Sequence, residues 1–122
     1  MPYPLNRDTA LRCEGIIRST GAIPATIGML SGQIHIGLTG KQIDRLADES
    51  NPNKAKLSRR DIAPAIAKKT DGGTTIAGTM ILAHLAGIKV FSTGGLGGVH
   101  RGGENCMRCV NILEPFPSRC LA

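Results

Sequence analysis

Apolar positions change their spacing several times along this chain, and each change marks an element. Ala10, Leu11, Ile16 and Ile17 form a broken stripe at helical spacing, which predicts a helix capped by Asp8 and running to about Thr20, where Gly21 stops it. Two short apolar runs, 25–30 and 34–38, flank Ser31-Gly32-Gln33 and read as a hairpin of two strands. Thr39 then caps an amphipathic helix over 41–49, with Ile43 and Leu46 as its inward positions. Asn51-Pro52-Asn53 breaks that helix and a basic loop covers 54–61. The apolar stretch 62–67 is expected as a helical turn capped by Asp61, with Pro64 in its first turn.

The most apolar stretch, 76–85, is opened by Gly72-Gly73-Thr74-Thr75 and closed by Ala86-Gly87, which predicts a buried helix with a glycine C-cap. The β-branched and aromatic run 88–93 follows as a strand. Helices alternating with strands through crossover connections point to the α/β class, here a partial mixed sheet flanked by helices. Neither internal repeats nor low-complexity tracts interrupt the pattern.

Composition narrows what such a domain can bind. At 122 residues the chain suits one compact domain. With no Trp, one Tyr and two Phe it lacks the aromatic platforms on which single-stranded nucleic acid stacks. A net charge of +6 favours an anionic partner. The basic residues come in short pairs, Arg59-Arg60 and Lys68-Lys69, rather than in the longer runs of nucleic-acid arms, so a basic nucleic-acid-binding module ranks low. No stretch approaches the ~18 apolar residues of a membrane span and the first residues carry no signal-peptide core, which sets a cytoplasmic expectation, or an organelle if an upstream segment is missing. Cys13, Cys106, Cys109 and Cys120 are too few and too unevenly placed for a disulfide framework. Cys106 and Cys109 have the spacing of half a zinc knuckle, with Cys120 and His100 as conceivable further ligands, but a second close pair is missing and free thiols are the simpler reading.

Candidate chemistry clusters where backbone can meet an anion. The loop 94–103, with six glycines at 94, 95, 97, 98, 102 and 103, follows the expected strand and could expose amides to a phosphate, although it matches neither the dinucleotide fingerprint nor the P-loop. Within it stand His100, able to move protons, and Arg101, able to clamp a phosphate; a plain glycine-rich turn with two surface residues is the alternative. Lys56 precedes Arg59 by three residues and Arg60 by four, so one turn of chain could gather three cations around one phosphate, or simply expose a basic loop. Gly72-Gly73-Thr74-Thr75 offers a second helix N-terminus suited to an anion, equally explained by helix capping.

Taken in order, the segments 21–27 (GAIPATI), 36–38 (IGL), 56–61 (KLSRRD), 73–77 (GTTIA) and 93–102 (TGGLGGVHRG) closely resemble the pseudouridine-5'-phosphate glycosidase family, also called indigoidine synthase A-like. The resemblance runs from Met1 to Glu104, so residues 1–104 are expected as a partial domain of that family's α/β/α fold and 105–122 as a divergent tail. The family implies reversible cleavage of the C–C glycosidic bond of pseudouridine 5'-phosphate to uracil and ribose 5-phosphate, with manganese, in a protein that assembles as a homotrimer. Such a bond has no readily protonated leaving oxygen, so the family opens the sugar, traps it as a Schiff base on a lysine and moves protons with a glutamate. The resemblance assigns substrate binding to Lys56, Ile76, His100 and Arg101. It places the acid glutamate upstream of Met1 and the Schiff-base lysine beyond Ala122, and puts Arg108 where the family has its metal-binding aspartate. Arg cannot ligate manganese, so metal binding by this chain is not expected. The expected partner is a small phosphorylated sugar or nucleotide, and the chain by itself is expected not to catalyse. A non-catalytic ribose-phosphate-binding or subunit-interaction fragment is the alternative.

Overall fold

A tight turn organises the first half of the sheet. Strands β1 (Ile27–Leu30) and β2 (Gln33–Ile36) are joined by Ser31 and Gly32, whose φ angles of 50° and 76° are those of a two-residue hairpin loop matched to strand twist. Gly32 is required there, because a side chain would also meet the Ile66 carbonyl at 2.7 Å. The structure, a computed structural model, describes residues 2–93. The remaining elements are α1 (Leu5–Ser19), α2 (Gly40–Ala47), β3 (Lys54–Leu57), a 3-10 turn (Arg59–Asp61), α3 (Ile62–Ala67), β4 (Asp71–Thr74) and α4 (Ile76–Leu85). The strand order is β2-β1-β4-β3, with β1 antiparallel to both neighbours and β3 parallel to β4.

The register sorts side chains onto two faces. On one, Leu30 packs with Leu38 and with Ile43 of α2, and Ala10 and Leu11 of α1 close over them. On the other, Met29 and Leu57 meet Ala65 of α3, while Ile27 meets Leu82 and Ala83 of α4, and Ile62 touches both groups. A mixed sheet between helical layers is the α/β arrangement that the sequence predicts.

The hairpin, the two middle helices and the glycine stop of α4 at Gly87 (φ 75°) stand where they are expected. Thr39 caps α2 through a reciprocal box with Gln42. Thr39→Ala should therefore cost about 1 kcal/mol in urea unfolding, with Thr39→Ser restoring most of it.

Six expectations need correction. Helix α1 starts at Leu5 rather than after Asp8; Pro4 occupies the N-cap position and Asp8 lies in the first turn, where the positive end of the helix favours it and Arg7 pairs with it at 3.0 Å. Residues 54–57 are a strand, not a loop, because Lys-Ala-Lys-Leu alternates and buries Leu57 while Lys56 stays exposed. Asp71–Thr74, expected only to open a helix, forms β4 first. Asp61 does not cap α3; its carboxylate turns back to accept the Ser58 amide at 2.9 Å and the Ser58 hydroxyl at 2.6 Å. Residues 88–93 have strand composition but no strand pairing among the described residues, and α4 is not buried all round, Leu85 being 77% exposed.

Candidate functional site

The parallel pair β3–β4 ends at one edge of the sheet, and there the sequence changes from packing to chemistry. Lys56 pairs in register with Gly73, and Gly73 with Gly28, which pairs with His35. His35, Gly28, Gly73 and Lys56 therefore form one row across one face. A Cβ on Gly28 would strike Leu46 and Leu38, at 2.7 and 3.1 Å, whereas one on Gly73 would meet nothing within 4 Å among the described residues. Open space thus lies beside Lys56, which is exposed and has no ion-pair partner among the described residues. His35 is held at the far end by Gln42, 3.2 Å from its Nδ1.

Immediately beyond Gly73 the chain turns into α4. Thr75 sits extended at the N-cap, its amide donating to the Leu57 carbonyl at 2.7 Å. Its hydroxyl does not cap the helix, and this buried Oγ1 has no hydrogen-bond partner among the described residues. A buried hydroxyl without a partner is uncommon and costs stability, so a ligand oxygen here would repair a real deficit. Ile76 is the first helical residue, and the amides of the first turn have no intrahelical acceptors. Gly78 lets this turn rest on β3, since a side chain there would come within 3.0 Å of the Leu57 carbonyl. Free amides, the positive helix end and a nearby ammonium together suit a phosphate.

Of the four binding residues that the sequence picks out, Lys56 and Ile76 are brought to this one edge; His100 and Arg101 lie outside the described residues, as do Cys106, Cys109, Cys120 and Arg108. Arg59 and Arg60 stand in the next turn and are both engaged with other groups. That turn is held by Asp61, whose carboxyl the Ser58 hydroxyl and amide keep below the usual carboxylate range. Sequence reasoning missed Glu14. Its carboxylate accepts the Thr26 hydroxyl at 2.5 Å and pairs with Arg18 at 3.5 Å, fastening α1 to the residues that enter β1 at the same edge. The only signal for it is the four-residue spacing of Glu14 and Arg18.

Among the described residues no three His, Cys, Asp or Glu side chains gather as metal ligands, so they do not fit a manganese ion by themselves. No described helix is long and apolar enough to cross a membrane.

Residues 1–113 match the family model described as Indigoidine synthase A like protein. The chain belongs to that family. Among curated relatives of this indigoidine synthase A-like chain, a pseudouridine-5'-phosphate glycosidase of Clostridium botulinum is 58% identical over 104 residues, covering 85% of this chain and 34% of the relative. The protein of the same name from Rhodospirillum centenum is 53% identical over 122 residues, covering all of this chain and 37% of the relative. Among solved structures, a prealnumycin C-glycosynthase in complex with ribulose 5-phosphate superposes with a TM-score of 0.70 at 45% identity, over 84% of this chain and 33% of that one. The chain thus spans about a third of the length of the relatives it matches.

Proposed function

We propose that the edge formed by Lys56, Gly73, Thr75 and the first turn of α4 binds the phosphate of a ribose phosphate, and that the whole protein acts on pseudouridine 5'-phosphate. The reading rests above all on one observation: an exposed lysine stands in register beside an open glycine, directly before a helix N-terminus whose capping threonine has no hydroxyl partner among the described residues. The names of the relatives support the reaction, and the sugar phosphate held by the superposing C-glycosynthase supports the class of ligand.

In this reading Lys56 supplies charge that is not spent on another side chain among the described residues, and the amides of 76–78 orient the phosphate oxygens. His100 and Arg101 would complete the clamp. The proton-moving glutamate and the Schiff-base lysine that the resemblance implies have no counterpart in this arrangement. Manganese would need ligands from outside residues 2–93. The 122 residues therefore bind the sugar phosphate and do not release uracil by themselves.

Calorimetric titration with ribose 5-phosphate tests this. Lys56→Ala should weaken binding about 10- to 100-fold, as loss of one charge-assisted phosphate contact does, while leaving thermal unfolding unchanged. Binding indifferent to Lys56 would reject the site. Uracil release by the purified chain would reject the assignment of catalysis to residues outside it.

A further inference from the structure

One row nearer the sheet's end than Lys56, the side chains change from charge to hydroxyl. Lys56 pairs with Gly73 and Gly73 with Gly28. Strand alternation puts Ser58, two residues after Lys56, Thr75, two after Gly73, and Thr26, two before Gly28, on the same face as that row. The Thr75 amide on the Leu57 carbonyl, 2.7 Å, and the Thr74 hydroxyl on the Ile27 carbonyl, 3.3 Å, keep the three segments side by side there. A hydroxyl has one proton to donate. Ser58 donates its proton to Asp61 at 2.6 Å and Thr26 donates to Glu14 at 2.5 Å, whereas Thr75, between them, has no partner among the described residues.

The two carboxylates differ in their surroundings. Asp61 also accepts the Ser58 amide and shares its turn with Arg59 and Arg60. Glu14 reaches in from α1 with its side chain 13% exposed, and its bond to Arg18, itself 61% exposed, is long at 3.5 Å. A carboxylate offers about four lone-pair sites, so Glu14 keeps acceptor capacity beyond Thr26 and Arg18. Lys56 on β3 and Thr26 beside β1 are separated by β4, which is two strand spacings or about 10 Å. Thr26 and Ile76 line one groove, so the Glu14 end and the phosphate end open on common space. A phosphate is drawn to Lys56 and repelled by Glu14, so a ligand with its phosphate at the first end has to present neutral donors at the second.

We propose that Glu14, oriented by Thr26, accepts a sugar hydroxyl of the bound ribose phosphate and so selects a phosphorylated sugar over a bare phosphate ester. The inference rests on the phosphate edge proposed above and adds the sugar end to it. Glu14 is distinct from the proton-moving glutamate, which the resemblance places upstream of Met1. Calorimetric titration with two probes reads the two ends separately: ribose 5-phosphate, and methyl phosphate, which carries a phosphate ester and no hydroxyl. The unsubstituted chain should bind ribose 5-phosphate about 10-fold tighter than methyl phosphate, as one charge-assisted hydrogen bond allows. Glu14→Gln keeps the size of the side chain and an acceptor for Thr26. It should weaken ribose 5-phosphate about 10-fold and leave methyl phosphate as tight or tighter, with the unfolding temperature unmoved. Lys56→Ala should weaken both ligands. Equal binding of the two ligands by the unsubstituted chain would overturn the proposal, and that comparison stands even if a variant fails to fold. So would Glu14→Gln binding ribose 5-phosphate as the parent does, or losing both ligands alike, which is the mark of a purely structural clamp. Indifference of both ligands to Lys56→Ala would remove the phosphate edge itself, and the assignment of Glu14 with it.

Discussion

Asp71→Ala is expected to remove about 3 kcal/mol of stability, a large share of the roughly 5–15 kcal/mol that holds a small domain together. Asp71 opens β4 and is 2% exposed. Its carboxylate accepts the Ser31 amide at 2.6 Å, the Arg45 guanidinium at 2.8 and 2.9 Å, and the Asn51 side-chain amide at 3.0 Å. One buried charge therefore joins the hairpin turn, α2 and the loop before β3 to the central strand. Removing it strands the Ser31 amide and the Asn51 donor, while Arg45, half exposed, recovers part of its hydration, which keeps the cost below that of a fully buried pair. Asp71→Asn, which keeps an acceptor but loses the charge, should fall between the two in urea unfolding.

Acid gives a second readout of the same lock. Burial alone would push the Asp71 carboxyl up, but the Ser31 amide, Arg45 and Asn51 together outweigh it and hold it below the usual carboxylate range. A carboxyl lowered in the folded state contributes stability that is fully present above its unfolded value of about 3.9 and is lost as pH falls through the folded value. The chain should therefore lose stability steeply below about pH 4, and Asp71→Asn should flatten that part of the profile. Asp61, lowered by Ser58, adds to the slope in the same direction. An unchanged acid slope in Asp71→Asn would show that the lock does not act through its charge.

What the sequence reveals and what it hides divide along locality. The Ser31-Gly32 turn and the Thr39–Gln42 box are settled within a few residues, and both are legible. Strand β4 is not, because Asp-Gly-Gly-Thr opposes every strand preference; it is a strand only because Leu57 of β3 and Met29 of β1 need a neighbour without a side chain between them. Residues 88–93 fail in the other direction, having strand composition without a neighbour to pair with among the described residues. At the site, the family pattern identifies Lys56 and Ile76, but the Thr75 hydroxyl without a partner among the described residues and the space over Gly73 exist only once β3 and β4 are side by side.

The adjacent glycines of β4 should separate packing from function. Gly72→Ala would place a Cβ 2.5 Å from Leu57 Cδ1 and 2.7 Å from the Ala55 carbonyl oxygen. Leu57 is 2% exposed and cannot swing away, and a strand carbonyl cannot retreat without breaking the pairing of β3 with β4, so the loss should be about 2–3 kcal/mol in urea unfolding. Leu57→Ala in the same chain should recover only part of it, because the carbonyl clash remains. Gly73→Ala meets nothing and should fold as well as the parent or slightly better, since alanine loses less backbone entropy than glycine. Enlarging the same position to Val would instead fill the space beside Lys56, weakening ribose 5-phosphate binding with little change in stability. A Gly73→Val chain that binds the sugar phosphate as the parent does would mean that this space is not where the ligand lies, and the phosphate site would have to be sought away from the β3–β4 edge.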